Sequence, residues 1–349
     1  MNKLRIAYVH ATYAYYIAYQ HLREELAKVA NVRFYTLPRP WEKYDKPLWN
    51  AKDIVRDFDP DAIIIGVNNT VHRSISNLEN VDCLKIMMSD DPHNWLERQA
   101  KFMNNTKIDI MLMMNYGRWY GKSENYPEWW ANPWKLNTER PVEIYGGKIP
   151  IADKYQQLLN YKYTFINFPE SVNINFFKDR GYYRECDVFN SGSFVQSVYP
   201  FRCLVYEVLK NHPKIKSCIQ PRFAYTWEQY AEMLAKSKML VDGGVVYGYT
   251  SQRFVQAMAS KTLVLAPIPY DNVDNHFIPN QNFVEINKYN FIEKILYYLE
   301  HEDERKKLIE NAHKTILKYH TVEKRAKQLL GIIRSNRKVY KEEKLINGD

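Results

Sequence analysis

The sequence predicts an α/β fold with two parallel β-sheets, one following the other along the chain. Short apolar runs alternate with amphipathic segments, the alternation stops between residues 116 and 154, and a second alternating set follows. The 349 residues correspond to about two domains. An apolar share of 46% and a charged share of 26% are typical of a chain that buries ordinary hydrophobic cores.

The first half begins with an apolar run at residues 4–9, which predicts a buried strand, and continues with helical spacing over residues 15–29. Further strands are predicted over residues 32–36, 62–67, 84–88, 109–114 and 163–167, and helices over residues 52–58 and 95–103. Strands of about five apolar residues between helices are typical of βαβ units, and therefore of a parallel sheet covered on both faces.

The second half repeats this pattern. Strands are predicted over residues 187–190, 216–219, 238–242 and 262–267, and helices over residues 201–211, 227–237, 251–260, 291–301, 303–318 and 322–344. We predict an N-terminal domain over residues 1–170, a C-terminal domain over residues 171–320, and a terminal helix and tail over residues 321–349 that crosses back to the first domain. Since such sheets bind ligands at the carboxyl ends of their strands, we expect the two domains to face each other across a cleft.

The formal net charge of +9 is concentrated near the end of the chain. Residues 324–349 hold eight basic and three acidic side chains, so the remainder is only mildly basic. This basic tail predicts either a solvated helix face or a peripheral contact with a membrane surface or another polyanion. No apolar run approaches the roughly 20 residues of a membrane span, the N-terminus has no signal-peptide pattern, and the four cysteines form no CxxC pair. We therefore expect a cytoplasmic protein without integral membrane contact.

Residues 238–267 are the most informative stretch. A strand ends in Asp242, and a helix opens near Ser251 with Arg253 in its first turn. A helix N-terminus offers free N–H groups, and a cation there is favourable only beside an anion. The segment also contains Gly243, Gly244, Gly248 and Thr250, and glycines let a ligand approach the backbone closely. The pattern predicts a phosphate or pyrophosphate site; the alternative is an ordinary loop with a serine N-cap.

Residues 187–202 follow the same plan. Gly192 and Ser193 come after a strand, and a helix starts near Pro200 with Arg202 in its first turn. Proline is favourable at the first helical position, and the preceding loop leaves a hydroxyl and backbone N–H groups free for an anion. The same domain thus has a second candidate anion site at a strand end.

In the first half, the strand at residues 84–88 is followed by Asp90, Asp91 and His93. These side chains could supply a general base or orient a hydroxyl acceptor, although the motif also suits the start of a helix. His10 and Tyr13 follow the first strand and are expected on the acceptor side of the cleft.

The break at residues 116–154 is rich in aromatic residues. Four of the eight tryptophans lie there, Trp119 and Trp129 among them. The segment predicts either a hydrophobic cluster that pins a long loop or a platform of aromatic faces for an acceptor.

Several familiar motifs are absent from the sequence. The nine histidines are dispersed, and neither HExxH nor a carboxylate cluster has metal-ligand spacing, so we expect no metal. No GxGxxG follows the first strand, which argues against a standard NAD-binding domain. The absence of GxxxxGK[ST] argues against a P-loop NTPase, and there is no nucleophile elbow.

The second half contains, in order, the motifs DVFNSGS, YPFR, YAEMLAKSKMLVD, TSQRFVQAMASKTLVLA, YLEHEDERKKL and KYHTVEKRAKQLL. With them, residues 186–330 resemble GT-B-fold glycosyltransferases of the group-1 type, closest to the CgeB/YkvP-like (spore protein) subgroup. SDDPHNW at residues 89–95 fits more loosely. The resemblance implies two Rossmann-like domains, with the nucleotide-sugar bound by the C-terminal one, the acceptor by the N-terminal one, and no metal. It implies that the diphosphate contacts Gly192, Ser193, Arg202, Thr250, Ser251 and Arg253.

Four positions depart from the family pattern. Gln256 stands where the family motif R-x-F-E-A-M-A has the glutamate that holds the nucleotide ribose, and glutamine can make that hydrogen bond without charge assistance. The glycine that usually follows this motif is Lys261, and Gly248 stands where an EX7E pair would begin. Ser89-Asp90 resembles the His-Asp pair of family-4 acceptor sites, without the histidine.

The expected function is therefore metal-independent transfer of a hexose-type sugar from a nucleotide-sugar, as co-substrate rather than cofactor, to a hydroxyl. Asp90 or His93 would orient or deprotonate the acceptor, and Arg202 and Arg253 would stabilise the leaving diphosphate. The acceptor stays open between a glycan, a small molecule, a protein and modified DNA. The alternatives are a phage-type DNA-modifying glycosyltransferase, a GT-B-type sugar-nucleotide epimerase and a non-catalytic nucleotide-sugar-binding protein.

Overall fold

The computed structural model describes residues 3–11, 17–38, 46–66, 74–89, 92–114, 118–119, 149–194, 199–221, 225–244 and 248–347. The chain divides into two compact units. The first takes the described residues within Met1–Asn115, Ile151–Pro169 and Val322–Asp349, and the second takes those within Tyr116–Pro150 and Glu170–Thr321.

The strands are β1 (Arg5–Ala11), β2 (Asn31–Leu37), β3 (Trp49–Asn50), β4 (Ala62–Ile65), β5 (Ile75–Ser76), β6 (Leu84–Ser89), β7 (Ile110–Met113), β8 (Arg118–Trp119), β9 (Ile149–Pro150), β10 (Thr164–Asn167), β11 (Cys186–Gly192), β12 (Ser217–Pro221), β13 (Ser237–Val241), β14 (Leu263–Ala266) and β15 (Val284–Glu285). The α-helices are α1 (Ile17–Val29), α2 (Ala51–Phe58), α3 (Pro92–Thr106), α4 (Ile151–Leu158), α5 (Pro200–Leu209), α6 (Trp227–Ala235), α7 (Gln252–Ala259), α8 (Phe291–Glu300), α9 (Glu302–Thr315) and α10 (Val322–Asn347).

The first unit holds a six-stranded sheet in the order β10-β7-β6-β4-β1-β2, and all its pairs are parallel. Every residue of β4 and β7 is buried, as expected for strands covered on both faces. The last helix, α10, packs against α1, and its Leu329 and Ile333 join Leu22 and Leu26 in one core. The C-terminal helix therefore belongs to the core of the first unit.

The second unit holds a five-stranded parallel sheet in the order β12-β11-β13-β14-β15. Its core joins Val188, Met239 and Leu265 on the strands to Leu204 on α5 and Ile295 on α8. The prediction of an α/β protein with two parallel sheets is confirmed. Among the described helices, none is both long and apolar enough to cross a membrane.

Several elements of the structure differ from those predicted from the sequence. Residues 116–154 were expected to form a long loop, which is wrong where β8 pairs with β9 and where α4 begins at Ile151. Two helical turns are too short for their periodicity to stand out, and α4 is stabilised by packing of Tyr155 against α3. The helix predicted over residues 303–318 ends at Thr315, and a π-helical turn, Ile316–His320, follows it.

Candidate functional site

The candidate donor site lies within the second unit, at the carboxyl ends of β11 and β13. The first turns of α5 and α7 meet these strand ends, because Arg202 and Arg253 reach back to the segments that follow the strands. The structure thus brings together the two motifs that the sequence singled out, although they lie some fifty positions apart in the chain.

Asp242 is the centre of this cluster. Its carboxylate is fully buried and accepts hydrogen bonds from the Ser251 hydroxyl, from the Gly244 N–H (3.1 Å) and from Arg253 Nη2 (2.6 Å). Arg202 Nη2 lies 3.9 Å from the same carboxylate. Two guanidinium groups therefore share one carboxylate, and the cluster keeps a net positive charge.

The two arginines are also held by backbone carbonyls. Arg253 Nη1 donates to the Ser191 carbonyl at 2.6 Å, and Arg202 Nη1 donates to the Ser193 carbonyl at 3.0 Å. The Arg202 guanidinium also lies over the Tyr199 ring, 3.9 Å from its centroid. Burial, and then the neighbouring Arg253, lower the pKa of Arg202 to about 10, so the Arg202 guanidinium is still charged at neutral pH.

The glycines of the site make room for these arginines. Gly192 has φ +118°, and a Cβ there would lie 2.9 Å from Arg253 Nη1 and 3.0 Å from Arg202 Nη1. Gly243 lies against the backbone of Arg202. The first turn of α5 is therefore what approaches Gly243 on its Cβ side, and a contact of this glycine with a ligand stays a prediction.

Ser251 occupies the N-cap position of α7 with extended backbone angles, but its side chain makes no capping hydrogen bond. Its hydroxyl is directed to Asp242 instead. The alternative that explained Ser251 as an ordinary N-cap is thus wrong for the side chain. Tyr199, at the N-cap of α5, makes no side-chain cap either. Neither helix has its first N–H groups satisfied by its N-cap side chain, which suits binding of an anion.

Thr250 has a structural partner that the sequence did not indicate. Its backbone N–H and hydroxyl both donate to Asp271 Oδ1, at 2.8 and 2.7 Å, and Asn275 Nδ2 donates to Asp271 Oδ2 at 2.8 Å. All three side chains are buried, and burial raises the pKa of Asp271 to about 6. Thr250 therefore anchors the segment before α7, and only the folded chain brings Asp271, twenty-one positions away, to it.

Several buried polar atoms around the cluster have no hydrogen-bond partner in the described part of the chain. These are both amide atoms of Asn190 and of Gln220, Nε2 of Gln256 and Nε of Arg202. All four side chains are at most 4% exposed. A buried polar group left unpaired costs about 1–3 kcal/mol, so a group of them at one strand edge indicates a place for a polar ligand.

Of the residues expected to contact the acceptor, His10 is half-buried near the end of β1. Its Nδ1 lies 3.2 Å from the Ala11 carbonyl and its Nε2 lies 3.1 Å from Thr36 Oγ1. The carbonyl can only accept, so Nδ1 carries the proton and Nε2 accepts from the threonine hydroxyl. Burial and the nearby Arg23 lower the pKa of His10 to about 4, so the ring is neutral at physiological pH.

The other acceptor-side candidates are placed only in part. Asp90, Asp91, Tyr13 and Trp129 lie outside the described residues. His93 is placed in α3 and Trp119 in β8 by their backbones, and their side chains also lie outside the described part. Helix α3 begins at Pro92, in agreement with the helix-start alternative for this motif.

Sequence reasoning missed a buried network at the end of β6, where the Asp90 motif begins. Ser89 Oγ donates to Gln99 Oε1 at 2.8 Å, and the Tyr155 hydroxyl donates to the same oxygen. The network joins β6 to α3 and α4, and its residues lie too far apart in the sequence to form a motif. Within the described ranges, no group of three or more His, Cys, Asp or Glu side chains is placed to hold a metal ion.

Comparison with known proteins agrees with this architecture. Residues 203–331 match the family model described as glycosyl transferase-like. The chain is similar to sucrose-phosphate synthase from Thermosynechococcus elongatus (TM-score 0.62, 10% identity, 95% of this chain and 99% of that one). It is also similar to a glycosyltransferase from Rickettsia africae (TM-score 0.59, 11% identity, 96% of this chain and 99% of that one). A third similar structure is HepE of Anabaena in complex with UDP-glucose (TM-score 0.57, 10% identity, 95% of this chain and 100% of that one).

At these identities the structural likeness defines the fold, which is the GT-B fold of two Rossmann-like domains. Within it, the matched residues of the second unit form a glycosyltransferase-like domain. No protein of curated function matches the sequence. The closer resemblance to the CgeB/YkvP-like subgroup stays a prediction.

Proposed function

We propose that this protein is a glycosyltransferase that moves a sugar from a nucleotide-sugar to a hydroxyl, with the donor held at the carboxyl edge of the second sheet. One observation carries the proposal. Two guanidiniums, two helix N-termini without side-chain caps and several buried polar atoms without partners occupy the same strand edge. A ligand with a diphosphate and many hydroxyl groups would satisfy all three features.

The diphosphate would bind where the positive charge is greatest. Arg253 and the first N–H groups of α7 are the main donors, and Arg202, with Gly192 and Ser193, extends the site toward α5. As the bond to the sugar breaks, negative charge grows on the leaving diphosphate. Donors already held in place stabilise that charge without having to reorganise, which lowers the barrier to transfer.

The nucleoside would use the buried amides. Gln256 Nε2, one turn after Arg253 on α7, is free to donate to a ribose hydroxyl, in the role that the family resemblance assigns to a glutamate. The amides of Asn190 and Gln220 can each donate and accept, as recognition of a base or sugar requires. That HepE is recorded with UDP-glucose supports a nucleotide-sugar as the donor class.

The acceptor would be bound chiefly by the first unit. Asp90 or His93 would orient or deprotonate its hydroxyl, with Asp91 and Tyr13 as further candidate contacts. Trp119, which belongs to the second unit, and Trp129 are candidate contacts as well. His10 is neutral and already hydrogen bonded to Thr36, so we propose it as a structural contact of the β1 end rather than as the base. Metal-independent transfer, a cytoplasmic location and a polyanion contact through the basic tail remain part of this proposal.

Thermal unfolding with added nucleotides tests the proposal before any acceptor is known. We expect UDP, GDP or ADP, or the matching nucleotide-sugar, to raise the Tm of the wild type, and Arg253→Ala to remove most of that rise. Arg253→Lys, which keeps a positive charge beside Asp242, should retain part of it. Lys261→Ala, at the opposite end of the same helix, is the matched control and should keep the full shift. An unchanged nucleotide shift in Arg253→Ala would contradict the donor site.

Assays of nucleotide-sugar turnover and of DNA binding then distinguish the alternative functions. Consumption of the nucleotide-sugar without any acceptor would indicate an epimerase, and nucleotide binding with no turnover would indicate a binding protein. Retention of duplex DNA that weakens steeply with salt would indicate the DNA-modifying alternative.

A further inference from the structure

We infer that Asp242 is an internal counter-ion that limits how tightly the donor site holds a diphosphate. The inference rests on the proposed function, because it concerns the same site. The sequence placed Asp242 only at the end of a strand and gave it no role.

The Asp242 carboxylate already occupies an anion-binding arrangement. Its contacts are a hydroxyl from Ser251, a backbone N–H from Gly244 and a guanidinium from Arg253, which are the kinds of donor that bind a phosphate group. It is 0% exposed, so water does not screen its charge. A bound diphosphate would therefore share these donors with a carboxylate that the protein supplies.

Among the described residues, the Asp242 carboxylate is the acidic group that forms ion pairs with both arginines. Arg253 contacts it at 2.6 Å and Arg202 lies at 3.9 Å, and both arginine side chains are at most 13% exposed. Without Asp242, two buried guanidiniums would face each other with no described counter-ion. The site would then gain charge for a diphosphate, and the unliganded fold would be less stable.

Like charges at short range repel strongly where the effective dielectric constant is low. A diphosphate that enters the cluster meets the Asp242 charge as well as the two arginines. This repulsion weakens binding of a nucleoside diphosphate product and favours its release. An alternative is that Asp242 only aligns Arg253; removing its charge would then weaken binding instead.

The Asp242→Asn substitution distinguishes the counter-ion role of Asp242 from a role in aligning Arg253. The amide keeps the shape and one acceptor oxygen but removes the charge. Asp187→Asn is the matched control, because it breaks the ion pair with Lys238 (2.7 Å) at the amino end of β11, away from the cluster. The probes are UDP and inorganic pyrophosphate, with Kd measured by calorimetry and Tm measured with and without each probe.

We expect Asp242→Asn to lower the Tm of the unliganded protein and to tighten both Kd values by about tenfold. Asp187→Asn should leave both Kd values unchanged, and Asp242→Glu, which restores the charge, should bind as weakly as the wild type. If Asp242→Asn does not fold alone, its refolding by pyrophosphate would support the inference, and Asp242→Ser serves for the Kd comparison. An unchanged or weaker Kd in the folded variant would overturn it.

The two probes separate this inference from the proposed function. If wild type and variant bind pyrophosphate but not UDP, and neither GDP nor ADP raises the Tm of the wild type, the donor assignment fails. The comparison of the two pyrophosphate Kd values then still tests the role of Asp242. If UDP binds the wild type and the variant equally, the assignment of the donor site is supported and the counter-ion role of Asp242 is refuted. If neither protein binds either probe, both proposals fail.

Discussion

The backbone of Arg202 lies directly against Gly243. A Cβ built on Gly243 would be 2.6 Å from both the N and the Cα atom of Arg202, closer than any side chain tolerates. This contact brings the first turn of α5 to the segment that follows β13, and so sets the position of Arg202 near Asp242.

Gly243→Ala should therefore be strongly destabilising, by about 2–4 kcal/mol in the free energy of unfolding, because two backbone segments must move apart. Denaturant titration measures the change. Gly331→Ala is the matched control: Gly331 is exposed on α10 with nothing within 4 Å of its Cβ position. That substitution should stabilise the protein by about 0.5–1 kcal/mol, because alanine favours the helix. Equal effects of the two substitutions would contradict the close approach.

Lys261 has φ +55°, in the left-handed region just after α7. The Thr262 N–H bonds back to the Ala257 carbonyl at 2.9 Å, as at many helix ends where glycine is preferred. Lys261→Gly should relieve the backbone strain of the positive φ and raise the free energy of unfolding by about 0.5–1 kcal/mol. Loss of the exposed ion pair with Glu310 should offset a small part of this gain.

Lys261→Ala is the informative partner of that substitution, because it removes the ion pair and keeps the positive φ. It should be neutral or slightly destabilising, and a rise in stability equal to that of the glycine variant would argue against backbone strain. Since Lys261 lies at the end of α7 opposite to Arg253, neither variant should change nucleotide binding. The lysine therefore does not by itself indicate a lost activity.

Asp271 predicts a pH dependence of stability. Its pKa is raised from 3.8 to about 6 by burial, so the native state binds its proton more tightly than the unfolded chain does. The stabilisation is complete below about pH 4 and is lost as the pH rises through 6. Across that window the wild type should lose up to about 3 kcal/mol of unfolding free energy relative to Asp271→Asn. Urea titrations at pH 4, 5, 6 and 7 measure this difference, and parallel pH profiles for the two proteins would contradict it.

Tyr155 and Ser89 share the Gln99 oxygen at the end of β6. Tyr155→Phe removes one donor and keeps the ring, so we expect a loss of about 1 kcal/mol in unfolding free energy. If the network also positions the Asp90 segment, kcat should fall while the nucleotide Kd is unchanged, because the proposed donor site lies in the other unit. Phe168→Leu, a buried change elsewhere in the first unit, is a suitable control for general destabilisation. An equal loss of kcat in both variants would show that the network has no positioning role.

The sequence predicted the elements that carry a clear apolar run or a helical period. The apolar runs of β4, β6 and β7 and the periodic helices α1 and α8 show such patterns directly. Elements such as α4 and β5 depend on packing that a local pattern does not express. The same distinction holds for the candidate site. The glycines, serines and arginines at the strand ends were recognisable as a motif in the sequence, but the residues that they contact were not.

The sequence by itself determined the two-sheet α/β architecture and the strand ends at which the candidate residues lie, because side-chain periodicity and turn composition are local properties. Only the tertiary structure decided what those residues contact. Arg253 pairs with Asp242, Thr250 with Asp271, and Gly243 with the backbone of Arg202, over separations of 11, 21 and 41 positions. These contacts arise when neighbouring strands and helices pack together, and they turn a motif typical of anion binding into a cluster that already contains its own carboxylate.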